Sequence, residues 1–235
     1  MNRLIELKDI YFAYSNGESI FQGLDFTLNE GERILLKGPN GAGKTTLFNL
    51  ILGLLTPQKG KVILFGKQCV KDKDFKVPRQ KIGFLFQDSD HQLFCPTVLE
   101  DVCFGPLNQG LNSTDAIKKA EEILYMLGVS HLAHRPSYRL SGGEKRLVAL
   151  ATILVMEPDV LLLDEPFNAL DMRAKKRIEE VLTNIKIRAM ILVSHYEKLP
   201  KGLISKEAFL RKNEILVQDV VIKGNSIKKV VPFPG

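Results

Sequence analysis

No apolar run in the 235-residue chain approaches the roughly 20 residues that a bilayer-spanning helix needs. The longest candidates, around Leu47–Leu55 and Val160–Leu163, are too short or interrupted. A charged-then-apolar leader is also missing, since Asn2–Asp9 already alternates like a strand. Any membrane role is therefore expected to be borrowed from a partner. Cysteine is scarce: Cys69, Cys95 and Cys103 form no CxxC pair and no metal-ligand spacing. They read as buried or partly buried thiols of a reducing cytosol. No segment interleaves basic and aromatic residues as a nucleic-acid stacking platform does. The net charge of +6, with lysines gathered in Lys67–Lys81, Lys175–Arg188 and Lys198–Lys212, reads first as a solvated basic surface that tolerates anionic lipid headgroups. Nucleic-acid binding is the alternative reading of that charge. Internal repeats and low-complexity stretches are absent, so the composition is that of an ordinary globular protein. The length suits one domain, or a core with one sizeable insertion.

Periodicity sets the expected elements. Leu4–Leu7 and Ile10–Tyr14 read as short strands ending at the Ser15-Asn16-Gly17 turn, and Ile20–Leu28 as another that stops at Asn29-Glu30-Gly31. Arg33–Lys37 is a brief apolar strand, Thr45–Leu54 has helical spacing, and Lys61–Phe65 is a strand bracketed by Gly60 and Gly66. Ser113-Thr114 is expected to cap a helix with Ile117, Ala120, Leu124 and Leu127 on its core face and Gly128 past its end. Ser141 opens a helix running to about Met156, closed by Glu157-Pro158. Residues 91–156 thus form a mostly helical insertion in an α/β core. Ala174–Ile185 favours helix and Met190–Val193 a buried strand, with two further strand-like runs at Glu214–Ile222 and Ile227–Val231.

Three motifs carry chemistry. Gly38-Pro39-Asn40-Gly41-Ala42-Gly43-Lys44-Thr45 is a complete GxxxxGK[ST] phosphate loop placed between a strand and a helix. Its glycines let backbone N–H groups surround phosphates, Lys44 adds a point charge, and Thr45 offers a hydroxyl to Mg²⁺. Asp164 ends the apolar run Val160-Leu161-Leu162-Leu163, at the carboxyl edge where ligands of parallel sheets bind, and suits support of Mg²⁺. Glu165 follows it and is placed to act as general base toward a water. Leu140-Ser141-Gly142-Gly143-Glu144 opens a helix, which alone would be a cap. Beside the other two motifs it reads as a second phosphate clamp serving a neighbouring subunit.

This ordered set, spanning Leu4 to about His195, resembles an ABC-type ATPase. Gly38–Thr45 matches Walker A, Leu140–Glu144 the signature, and Val160–Glu165 Walker B with its glutamate. The resemblance implies a P-loop NTPase (RecA-like) α/β core with an N-terminal antiparallel β subdomain, residues 1–90 and 157–235. Residues 91–156 would form the inserted helical subdomain that carries the signature. By the same resemblance ATP and Mg²⁺ are the cofactors, with Thr46 also near the nucleotide. Gln87 is the Q-loop glutamine that touches Mg²⁺, and Ala169-Leu170-Asp171 is the D-loop. His195 is the switch histidine, and Tyr14 stands where an aromatic stacks on adenine.

A narrower likeness lies in Asp90–Pro106, which resembles the energy-coupling-factor and cobalt/nickel importer ATPases. It implies a subunit peripheral to the cytoplasmic face of the membrane. Integral membrane subunits and a second ATPase copy, identical or paralogous, would be its partners, and no nucleic acid is expected. Departures are Asn168, where Ser or Ala is commoner, and Leu147, which follows Arg146 where a basic or aromatic residue is frequent. Many relatives of the coupling-factor group extend past the position of Gly235 with a segment that helps pair two ATPases. Rival readings are a soluble ABC ATPase working on nucleic acid or ribosomes, and a regulatory module that no longer hydrolyses. Neither a second cassette nor a long coiled-coil insertion supports the former, and the retained Glu165 and His195 oppose the latter. Cobalt, nickel and a vitamin stand equal as cargo.

Overall fold

A computed structural model describes residues 2–168, 170–196, 199–211, 214–219, 221–223 and 226–228. In chain order its elements begin with β1 (Arg3–Ala13), β2 (Ser19–Asn29), β3 (Arg33–Lys37), α1 (Lys44–Ile51), β4 (Lys59–Leu64), β5 (Lys67–Cys69), α2 (Asp72–Lys81) and β6 (Ile82–Leu85). Next come α3 (Val98–Asn108), α4 (Ser113–Met126), α5 (Gly142–Leu154), β7 (Val160–Asp164), α6 (Met172–Asn184) and β8 (Ala189–Val193). They are followed by β9 (Lys206–Arg211), β10 (Glu214–Asp219), β11 (Val221–Lys223) and β12 (Ser226–Lys228). Two compact units divide these elements, one of residues 1–79, 188–195 and 201–235, the other of 80–187 and 196–200.

The first unit contains an antiparallel sheet in the order β2-β1-β4-β5. Leu24, Phe26 and Leu28 of β2 alternate inward, as a half-buried strand requires, and Phe21 is buried too, out of phase across a register shift. β1 is one strand rather than the expected two. Asp9 takes a φ of 50° where the register shifts between Leu7 and Ile10, so the chain bulges there instead of breaking. The bulge explains a second difference, that Gly60 lies inside β4 rather than before it. A Cβ at Gly60 would sit 2.4 Å from the Asp9 carbonyl oxygen, a distance no side chain tolerates. Phe65, with a φ of 50°, belongs to the turn after β4.

The same unit holds the strand order β10-β9-β3-β8, with β3 parallel to both β8 and β9. Buried Glu32 pins its base, meeting the Lys206 ammonium at 2.7 Å and the Asn29 backbone N–H at 2.8 Å. Burial pushes the Glu32 carboxyl up, but the bonds from Lys206 and Asn29 outweigh it and hold the group below its ordinary range. Helix α2 is unexpected, because Phe75 and Pro78 alone are buried on it and no apolar stripe marks it. Pro78 cannot bond back to the Asp74 carbonyl, which accepts the Cys69 thiol at 3.6 Å instead.

In the second unit β6 and β7 pair in parallel, Ile82 with Val160 through Leu85 with Leu163. Val160–Leu163 of β7 are buried, as their unbroken aliphatic run predicts, and Asp164 is buried with them. Helices α3, α4 and α5 fill the segment expected to be helical. Asn112, rather than Ser113 or Thr114, caps α4 by accepting from the Asp115 N–H at 2.9 Å. Ile117 is 41% exposed and not core. The buried stripe is Ala116, Ala120, Leu124 and Leu127, and Ile117 stands about 100° round the helix from Ala116. Cys69 and Cys103 are buried and Cys95 is half-buried, as expected. The expected strand Glu214–Ile222 is two, β10 and β11, with Val220 outside the described residues. Of Ile227–Val231 only Ile227 and Lys228 lie within them. Lys198 and Lys212, the bounds of one basic cluster, and Ala169 of the expected D-loop also lie outside them.

Candidate nucleotide site

In the first unit β3 runs into the glycine loop and then α1, the order a phosphate loop needs. Gly38, Gly41 and Gly43 all have positive φ, of 154°, 77° and 95°. Close approach decides two of them. A Cβ on Gly38 would lie 2.5 Å from the Leu210 carbonyl oxygen, and one on Gly43 would lie 2.5 Å from Ile20 Cγ2. Pro39, Asn40 and Gly41 are exposed, and Ala42 lies within the same turn, its N–H donating to the Pro39 carbonyl. Gly43 at the N-cap has no side chain, so neither hydroxyl nor carboxylate caps α1 where an anion would dock. The Lys44 ammonium folds onto the loop and donates to the Gly38 and Pro39 carbonyls at 2.8 and 2.9 Å. Thr45 is exposed at the first turn, while Thr46 is buried and shares a 2.8 Å hydrogen bond with the Tyr14 hydroxyl. Tyr14, just past β1, is thereby tied to the helix that follows the phosphate loop, its ring edge-on to Phe12 at 5.0 Å.

Parallel register aligns the remaining expected residues. Leu36 pairs with Val193, so Gly38 and exposed His195 each stand two residues past that pair, just beyond the carboxyl ends of adjacent strands. In the second unit Leu85 pairs with Leu163, which puts Gln87 and Glu165 in the same relation. Asp164 ends β7 and is 2% exposed. Glu165 has a φ of 50°, a left-handed backbone that costs a residue with a side chain on the order of 1–3 kcal/mol.

The segment expected to be the signature has a defined cap. Ser141 is the N-cap of α5, its hydroxyl accepting from the Glu144 N–H, while the Glu144 carboxylate accepts from the Ser141 N–H and hydroxyl, both at 2.8 Å. The backbone bond from Ser141, followed by its hydroxyl, holds the Glu144 carboxyl below its ordinary range. Leu140 is buried, whereas Ser141 and Gly142 are exposed at the open end of the helix. Ser141, Gly143 and Glu144 line a concavity of about 470 Å³ with Asp171, Arg173 and Arg177. Asp171 caps α6 by accepting from the Ala174 N–H at 2.7 Å, and Leu170 beside it is buried. Residues expected of the signature and of the D-loop therefore meet in one hollow of this unit.

Three residues without an expected role organise the second unit. Asp101, 4% exposed, accepts from the Phe94 and Cys95 N–H groups at 2.9 and 2.8 Å and from the Ser137 hydroxyl at 2.5 Å. Gln92 donates to the Ala149 carbonyl and the Thr152 hydroxyl, each at 2.8 Å. Arg146 is buried and donates to carbonyls of the loops after β6 and β7. The readable signal for the first was Thr97-x-x-Glu100, a capping box that starts α3 and fixes the inward turn of Asp101.

A family model described as "ABC transporter" matches residues 21–168. A putative ABC transporter ATP-binding protein of Brucella suis is 47% identical over 201 residues, 86% of this chain and 83% of that protein. The energy-coupling factor transporter ATP-binding protein EcfA of Methanocaldococcus jannaschii is 42% identical over 81% of this chain and 68% of its own length. Among solved structures, cbiO1 of Clostridium perfringens, part of the transporter complex cbiONQ, superposes with a TM-score of 0.80 at 30% identity, covering 93% of this chain and 89% of that one. The dimeric cassette MJ0796 in a post-hydrolysis state with ADP and Pi gives a TM-score of 0.82 at 26% identity, over 92% and 98% of the two chains.

Proposed function

Because the chain belongs to the ABC transporter family and is an ABC-type ATPase, we propose that it powers an importer of the energy-coupling-factor or cobalt/nickel type. Likeness to EcfA proteins and to cbiO1 supports that subgroup, as does the Asp90–Pro106 run. Among the described residues no helix is long and apolar enough to cross a membrane, which fits a peripheral ATPase that couples to integral membrane subunits.

The observation that carries the reading is the carboxyl-edge alignment, Gly38 with His195 and Gln87 with Glu165. In this reading the loop N–H groups and Lys44 bind the phosphates, Tyr14 stacks on the adenine, and His195 contacts the terminal phosphate. Thr45, Gln87 and Asp164 offer a hydroxyl, an amide and a carboxylate, the hard oxygen set that Mg²⁺ prefers. When bound, Mg²⁺ neutralises charge on the phosphate oxygens. Glu165 takes the proton of the attacking water. Ser141–Gly143 of one copy complete the site of a second, with Ala169–Asp171 communicating between copies. The dimeric MJ0796 cassette supports such pairing.

Glu165→Gln tests the assignment. It should bind ATP normally, lose turnover by about 10²–10⁴-fold, and accumulate as a dimer on a sizing column with ATP. Wild-type turnover in this variant would overturn the reading. Copurification from native membranes with an integral membrane protein, against RNA or DNA, tests the importer assignment.

A further inference from the structure

Arg146 sits on α5 five residues after Ser141 and is 3% exposed. One terminal nitrogen, Nη1, donates to the Phe86 carbonyl and to that of Gln87 at 3.1 Å. The other, Nη2, donates to the Asp164 carbonyl and to that of Glu165 at 2.7 Å. The two terminal nitrogens therefore engage four backbone carbonyls, two where the chain leaves each strand of the parallel pair β6 and β7, with the Ser89 hydroxyl a longer contact of Nη1 at 3.5 Å. These acceptors are all neutral, which sets the contact apart from an ordinary ion pair. Burial draws the Arg146 pKa down to about 10, with Asp164, Glu165 and Asp88 opposing the fall, so the group stays cationic at neutral pH.

The two anchored loops matter individually. One carries Gln87; the other holds Glu165 at a φ of 50°, a backbone that persists only when its surroundings enforce it. The Gln87 loop also grips α5 elsewhere, through Gln92 on Ala149 and Thr152 and through the 2.5 Å pair of Lys145 with Asp90.

We propose that Arg146 is a positioning residue for hydrolysis, fixing the backbones of Gln87 and Glu165 against the signature helix so that movement of α5 reaches both loops. Its planar fork spans two loops at once; a lysine ammonium is a point donor and cannot. The inference rests on the assignment of Gln87 and Glu165 to the hydrolytic centre.

Arg146→Lys, with Glu165→Gln alongside, tests it in the full chain. Four readouts are compared with wild type: thermal unfolding, affinity for a fluorescent ATP analogue in EDTA, hydrogen exchange of peptides 86–92 and 164–168, and kcat and KM for Mg²⁺-ATP. The expected Lys variant unfolds cooperatively, binds nucleotide within about 3-fold of wild type, and exchanges faster in both peptides. Its kcat falls by roughly 10²-fold with KM little changed, the cost of a small misplacement of reacting groups. Unchanged kcat overturns the proposal. So does a variant that fails to fold, or one whose kcat and nucleotide affinity fall in proportion, because each marks a purely structural role. If Glu165→Gln keeps wild-type turnover, the assignment of Glu165 falls and takes the inference with it. If that variant is inactive while Arg146→Lys turns over normally, only the role of Arg146 fails.

Discussion

At the scale of single residues, carboxylates and thiols are set by their immediate donors and by burial. Cys95 is the clearest case: burial, reinforced by the charge of Asp101, pushes its thiol up to about 11. A raised thiol pKa means that the nucleophilic thiolate forms only at strongly alkaline pH, so the residue should resist alkylation at pH 8 although it is only half-buried. Iodoacetamide labelling followed by peptide mass spectrometry should show Cys95 reacting well over tenfold more slowly than a free thiol of ordinary pKa, with the rate still climbing at pH 10. Asp101→Asn removes the charge and should speed labelling; an unchanged rate would show that burial alone sets the pKa. The same residue shows why single positions are hard to read from sequence. Asp101 and Arg146 act on backbone groups that only the fold brings to them. The phosphate loop was legible because its chemistry is consecutive, with each glycine position dictated by φ or by a neighbour's approach.

Elements were legible where an unbroken run, a start and stop signal or a helix-favouring composition marks them, as in β7, α5 and α6 respectively, and illegible where another force builds them. Helix α2 has two buried residues and an internal proline, so periodicity gives no sign of it. The strand split expected near Asp9 fails because a bulge carries pairing through a polar pair of residues. Helix α5 is held at its start by the reciprocal Ser141–Glu144 cap, and there the sign of a pH effect follows directly. The folded Glu144 pKa lies below its ordinary value of 4.5, so its contribution is full above that pH and is lost as pH falls through the depressed value. Ser141→Ala removes the cap and should cost about 1 kcal/mol at pH 7. The gap in Tm between wild type and Glu144→Gln should narrow as pH is lowered from 7 to below 4.5. A gap that stays constant over that range would mean the carboxylate form adds nothing to the cap.

For the whole molecule, the decisive question is whether one copy's signature serves the other copy's phosphate loop. A symmetric pair built from complementary halves makes a quantitative test possible. Lys44→Ala disables the phosphate loop and Ser141→Arg blocks the open end of α5, so each protein alone should be nearly inactive. In a hybrid pair, one site combines both defects, while the other joins the intact Lys44 of one copy to the intact Ser141 of its partner. Random mixing makes half of the pairs hybrid, each with a single intact site, so an equimolar mixture should recover about a quarter of wild-type activity if the sites turn over independently. A signature acting on its own chain's nucleotide leaves every chain in the mixture defective, and no activity returns. Turnover per chain should also fall on dilution, for the mixture and the wild type alike, because pairs dissociate, whereas a wild-type site complete within one chain would be indifferent to concentration. A mixture that stays inactive at high protein concentration would remove the head-to-tail pairing from the proposed mechanism.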